Sequence, residues 1–145
     1  MRKITEDEVV LRTLGHLAHH DNYTRLAFRP TRGQGPDLKV QHRTRDGHYF
    51  VVEAKGEGHG KAADSKMETV LGAMGQLDTR FTGHNGRKYG LAIPFPWKER
   101  AIGKLTAAYV SRLRLHLFFV DARGRVVHLE PRLVKAAIRN RGLGQ

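Results

Sequence analysis

Residues 35–55 read Gly35-Pro36-Asp37-Leu38-Lys39-Val40, a polar run ending in Asp46-Gly47, and then His48-Tyr49-Phe50-Val51-Val52-Glu53-Ala54-Lys55. Tyr49 to Val52 is apolar and rich in strand formers, and Asp46-Gly47 is a turn signal, so the stretch predicts a hairpin with a buried second strand. Side chains alternate along a strand, which puts Glu53 and Lys55 on one face and Val52 and Ala54 on the other. Asp37 reaches the face of Glu53 only if the turn has the right parity. A three-residue loop of Arg45, Asp46 and Gly47, with Gly47 left-handed, pairs Thr44 with His48 and sets Asp37 opposite Lys55; a two-residue turn sends Asp37 to the wrong face.

Two carboxylates and a lysine at the end of a buried strand suit a divalent metal. Carboxylate oxygens are hard ligands for Mg²⁺, which keeps several waters and accepts phosphate oxygens beside one or two protein carboxylates. Such a metal activates water and offsets charge on phosphorus, and a neighbouring lysine orients the water or neutralises that charge. The chemistry expected is phosphodiester hydrolysis with Mg²⁺, or Mn²⁺ in its place.

Pro36-Asp37, the sixteen-residue step from Asp37 to Glu53, and Glu53-Ala54-Lys55 resemble the motif of the PD-(D/E)xK nucleases, the restriction-endonuclease-like superfamily. The preceding Arg29-Pro30-Thr31-Arg32-Gly33-Gln34-Gly35 is similar to the basic, glycine-rich loop of archaeal Holliday-junction resolvases and their relatives. The superfamily order of helix, strand, hairpin, helix and strand can be laid over Thr5 to Pro94. The resemblance implies an α/β fold, with a restriction-endonuclease-like core in which helices flank both faces of a mixed sheet. It implies Asp37 and Glu53 as metal ligands, Lys55 as the catalytic lysine, a first-helix glutamate at the metal, and Gln76 as a helper that places the lysine or the water. A catalytically inactive nucleic-acid-binding member of the same fold and an RNA-directed nuclease are the alternatives.

Composition fits a polyanionic partner. Twenty-six Lys and Arg against fourteen Asp and Glu leave a net charge of +12, which favours DNA, and less so RNA, through phosphate neutralisation and counterion release. The absence of cysteine excludes disulfides, thiolate-bound zinc and thiol nucleophiles. No apolar run has the length of a membrane span and no signal-peptide core opens the chain, so an intracellular protein of the cytoplasm or nucleoid is expected. The 145 residues suit one domain. With no separate sequence-reading module, the chain is expected either to recognise nucleic-acid shape, often as a two-fold homodimer, or to rely on a partner for delivery.

Along the chain, Thr5 and Glu8 form a capping box for a helix to about His19, with Val10, Leu14, Leu17 and Ala18 buried. Glu6 lies near that stripe and is the better first-helix metal candidate; Glu8 belongs to the cap. His16, His19 and His20 read as surface groups at the helix end. Tyr23 to Phe28 is an edge strand. Arg29, Arg32, Lys61 and Arg80 are the candidates for phosphate contact. The segment Gly56-Glu57-Gly58-His59-Gly60-Lys61 lacks the GxxxxGK[ST] pattern of an NTP site and is expected to be a mobile loop over the active site, with Glu57 and His59 as weaker candidates near the metal. A second helix runs from Asp64 or Ser65 to about Phe81, its stripe formed by Met67, Val70, Leu71, Met74 and Leu77. A strand follows over Lys88 to Ile93, then one helix from Pro96 to about Leu115 that Trp97 anchors and that buries Ile102, Leu105, Ala108, Tyr109 and Leu113. Leu115–Val120 and Val126–Leu129 are strands around an Asp121–Gly124 turn, and Pro131 opens a basic last helix.

Overall fold

The computed structural model describes residues 3–28, 37–57 and 63–143. Six strands form one mixed sheet in sequence order: β1 (Tyr23–Phe28), β2 (Leu38–His42), β3 (Tyr49–Ala54), β4 (Arg87–Pro94), β5 (Leu115–Val120) and β6 (Val126–Leu129). β1, β2 and β3 are antiparallel neighbours, β3, β4 and β5 are parallel, and β6 returns antiparallel to β5. The parallel centre requires crossovers. Helix α2 (Ala63–Arg80) links β3 to β4, and η1 (Phe95–Trp97), α3 (Lys98–Lys104) and α4 (Ala107–Leu113) link β4 to β5.

Alternation splits the apolar residues into two cores. Phe50, Val52, Ala54, Ala92, Phe118 and Val120 face α1 (Glu6–His20), which contributes Val9, Val10 and Leu17. Val51, Leu91, Ile93, Leu117 and Phe119 face the opposite layer, where Val70, Ala73 and Leu77 of α2 pack with Trp97, Ile102, Val110 and, from α5 (Pro131–Leu143), Val134. Every residue of β5 is buried, as expected of a central strand covered on both faces. The chain is therefore α/β, with helices on both faces of a mixed sheet. Among the described residues, no helix is long and apolar enough to cross a membrane.

Several local expectations change. Thr5 does cap α1, accepting the Glu8 N–H at 3.2 Å, but the buried stripe is Val9, Val10, Thr13 and Leu17, with Leu14 and Ala18 only half-buried. Leu71 is exposed, and Ala73 takes the core position on α2. The single helix expected after Pro96 is broken at Leu105-Thr106: Leu105 is extended and the Thr106 hydroxyl caps a new helix by accepting the Tyr109 N–H at 3.1 Å. The restart changes the helical phase, so Val110 is buried and Ala108 exposed. Trp97 is buried where α3 begins, as its anchoring role requires.

Candidate active site

The hairpin β2–β3 carries the first two site residues. Its register pairs Leu38 with Val52 and Gln41 with Tyr49, and one further step places Asp37 opposite Glu53 rather than Lys55. The expected pairing of Thr44 with His48 is replaced by a His42 N–H bond to the His48 carbonyl at 2.8 Å. The turn thus spans residues 43–47. His42 organises it: its Nδ1 accepts the Thr44 and Arg45 N–H groups, each at 3.2 Å, and Gly47 takes a left-handed φ of 78°. The register slips by two residues, an even number, so Asp37 keeps the face of Glu53 and Lys55.

The acidic pair is held from two sides. Asp37 Oδ2 accepts the Ala54 N–H at 2.8 Å, which locks the carboxylate onto the strand that carries Glu53. Glu53 is 2% exposed, and its Oε1 accepts Arg80 Nε at 3.3 Å from the last turn of α2. Burial pushes the Glu53 carboxyl up from 4.5 to about 7, with a hydrogen bond to Asp37 and the Asp37 charge adding to it and Arg80 opposing. The protonated form of Glu53 is therefore favoured well beyond that of a free glutamate. Tyr109 stands close by; its hydroxyl donates to the Met74 carbonyl at 2.7 Å, and burial, together with the Glu53 charge, pushes its phenol up.

Beside this pair, at the carboxyl end of the parallel strands, lies a cavity of about 390 Å³ lined by Glu6, Lys55, Gly56, Glu57, Thr69, Gly72 and Gln76. Open α/β sheets place ligands at this end. Lys55 is fixed by its N–H bond to the Ala92 carbonyl at 3.0 Å, a continuation of the β3–β4 ladder. Glu6 arrives because Gly56 lets the chain pass directly under the start of α1, where a Cβ would overlap the backbone of Thr5 and Glu6. Glu57 ties the same junction: its carboxylate accepts the Ile4 N–H at 3.0 Å and its own N–H donates to the Ile4 carbonyl at 2.8 Å. Glu57 also lines the cavity. Gln76 is exposed at the rim of the cavity.

Lys55, Gln76 and Glu6 thus share one cavity, and the buried Glu53, two residues before Lys55, pairs with the partly buried Asp37. Glu6 does not join Asp37 and Glu53 in a compact three-carboxylate group. Among the described residues, the only three metal-ligating side chains whose ligand atoms all approach within 4.8 Å are His16, Asp21 and His128. Arg80, expected at phosphate, points its Nε at Glu53. Arg29, Arg32 and Lys61, with His59 and the Pro36 of the motif, lie outside the described residues. Sequence reasoning missed the Arg80–Glu53 pair, although Gly72, Gln76 and Arg80 recur every four residues along one side of α2. Comparison with protein-family models, with curated proteins and with solved structures finds no match.

Proposed function

We propose that this protein is a metal-dependent endonuclease that hydrolyses phosphodiester bonds of DNA, on a core of restriction-endonuclease-like order. The observation that carries the reading is the Asp37–Glu53 pair: two carboxylates from adjacent strands, one buried and one anchored by a backbone N–H, with a lysine two residues beyond. The donor set fits a hard divalent cation, because two carboxylates in mutual contact are costly to ionise together unless a cation joins them.

In this reading Asp37 and Glu53 hold Mg²⁺ or Mn²⁺, which when bound supplies Lewis-acid polarisation of the phosphodiester and activation of water. Arg80 positions Glu53 and favours its ionised form. Lys55 places its ammonium in the cavity, where it orients the attacking water and offsets charge gathering on the phosphoryl oxygens. Gln76 at the rim helps to place the water, and Glu6 closes the opposite wall. The water oxygen forms the new bond to phosphorus, the ester bond to the leaving alkoxide breaks, and the proton lost by water ends on that alkoxide. The strong positive charge supplies binding to the phosphate backbone; Arg29, Arg32 and Lys61 are assigned to it, and shape recognition, as a homodimer on duplex substrates, is part of the proposal.

One observation favours a second reading. The Arg80–Glu53 ion pair already compensates one of the two carboxylates, as it would in a nucleic-acid-binding module that does not cleave. One assay separates the two. Wild type, Asp37→Ala and Glu53→Ala are incubated with supercoiled plasmid, and separately with structured RNA, in Mg²⁺, Mn²⁺ or EDTA. Metal-dependent nicking of DNA by wild type alone, reduced at least about 100-fold in either variant, is the expected result. Cleavage unchanged in Glu53→Ala removes the site assignment. Binding without cleavage leaves the module, and cleavage of RNA alone moves the activity to RNA.

A further inference from the structure

A second group of ligating side chains lies on the other face of the sheet, where the end of α1 meets the edge strand β6. His16 Nε2 stands 3.0 Å from His128 Nδ1, and Asp21 Oδ2, from the residue that caps α1, stands 3.7 Å from the same nitrogen. All three ligand atoms lie within 4.8 Å of one another, each on a half-buried residue. None of the three belongs to the Asp37–Glu53 site. His16, expected as a surface group, is instead part of a histidine relay running through His128 to His116.

We propose that His16, Asp21 and His128 form a binding site for a zinc-class divalent cation. Four-coordinate zinc holds its ligands about 2.0–2.1 Å away and hence about 3.3 Å from one another, and the separations of 3.0 and 3.7 Å around His128 Nδ1 bracket that edge. Two imidazoles and one carboxylate select zinc over Mg²⁺, which prefers an all-oxygen shell. The chain has no cysteine, so imidazoles are its strongest available donors for such an ion.

The surroundings orient the ligands. His116 is 7% exposed on β5, and its Nδ1 stands 2.9 Å from His128 Nε2. With the shared proton on His128 Nε2, the Nδ1 lone pair would face His16 and Asp21. Ligating histidines are commonly fixed in this way by a partner on their second nitrogen. Asp21 is about one-third exposed, which leaves its carboxylate room to close on the ion. A groove of about 520 Å³ that His16, His20 and Arg125 line runs beside His16 and would admit a water as the fourth ligand. A bound ion would join residues 16 and 21 at the helix end to residue 128 on the short edge strand, a link between distant parts of the chain that no disulfide can provide here.

The test is calorimetric titration of the full chain with Zn²⁺, carried out in the Asp37→Ala, Glu53→Ala background so that the carboxylate pair cannot contribute, with thermal unfolding in parallel. The expected result is one ion per chain with a Kd below about 10 μM and a rise in Tm that Mg²⁺ does not reproduce. His128→Ala and His16→Ala lower the affinity at least about tenfold. Asp21→Asn, a conservative change at a partly exposed position, does the same and keeps the test decisive if a histidine variant folds poorly. His19→Ala/His20→Ala leaves the affinity within about threefold. Absence of zinc binding to the parent background overturns the proposal. So does binding that survives Asp21→Asn and His16→Ala, or binding lost on removal of His19 and His20, which would mark capture by surface histidines.

Discussion

Glu53 gives a stability signature that needs no knowledge of substrate. Its carboxyl is raised from 4.5 to about 7 in the folded chain, first by burial and then by Asp37. Between those values the folded protein holds a proton that the unfolded chain has released. The stability contributed is therefore fully present below about pH 4.5 and is lost as pH rises through 7. At about 1.4 kcal/mol per pH unit, complete ionisation costs the fold about 3 kcal/mol. In EDTA, Glu53→Gln should match wild type near pH 4.5 and exceed it by up to that amount at pH 8, measured as the difference between their urea-unfolding curves. A constant difference across the range would mean that Glu53 ionises freely. Arg80 acts on the same group in the opposite sense. Removing it should push Glu53 higher still, so Arg80→Ala should cut at pH 7 about tenfold more slowly and recover toward pH 9. Arg80→Lys should sit between. A pH–rate profile lowered without displacement would make Arg80 a packing residue only.

At the scale of elements, the junction between β3 and α1 decides whether the cavity exists. Residues 54–57 leave the sheet under the first turn of α1, and the two Ile4–Glu57 hydrogen bonds tie it there. Gly56→Ala inserts a methyl group into the backbone of Thr5 and Glu6. The strain should cost about 1–3 kcal/mol or more and lower Tm by roughly 5 °C or more, with loss of cleavage because Glu6 and Lys55 part. A variant with unchanged Tm would contradict the close approach. This junction was not legible in the sequence, since nothing local to Gly56 announces contact with residues fifty positions earlier. What was legible rests on period and composition: the strand Tyr49–Val52, buried from Phe50 onward, the Thr5 cap, the edge strand Tyr23–Phe28 and the Asp121 turn. In that turn Asp121 accepts the Arg123 and Arg125 N–H groups at 2.9 and 2.8 Å. The hairpin register was missed by two residues because His42 closes the turn with its ring, a bond that turn statistics for Gly, Asn and Asp do not anticipate. The helix break at Thr106 was missed because apolar residues on both sides of it also fit one continuous wheel. His128 looked unremarkable on a short strand until β6 brought it to His16, 112 residues away.

For the molecule as a whole, the question is where a net charge of +12 acts. Several described cations are already engaged within the chain: Arg80 with Glu53, Arg125 with Asp121, Arg112 with Asp78, and Arg141 with the Glu99 carbonyl. Each such pair spends positive charge on the fold rather than on a partner, yet the sum stays strongly positive because acids are too few to match the bases. If DNA is the partner, that excess must appear as counterion release. A protein that neutralises about six phosphates has a slope near −5 in log affinity against log salt, and loses about 10³ in affinity between 50 and 200 mM salt. Fluorescence anisotropy on a duplex, in EDTA so that no cleavage occurs, measures that slope directly. Glu53→Ala should keep it, because the change removes no cation that could neutralise a phosphate, whereas Arg29→Ala/Arg32→Ala should make it shallower by about two. A slope shallower than about −2 for wild type would show that the positive charge is scattered rather than aimed at a nucleic acid. The nuclease reading would then lose its binding half even if the Asp37–Glu53 pair took up a metal.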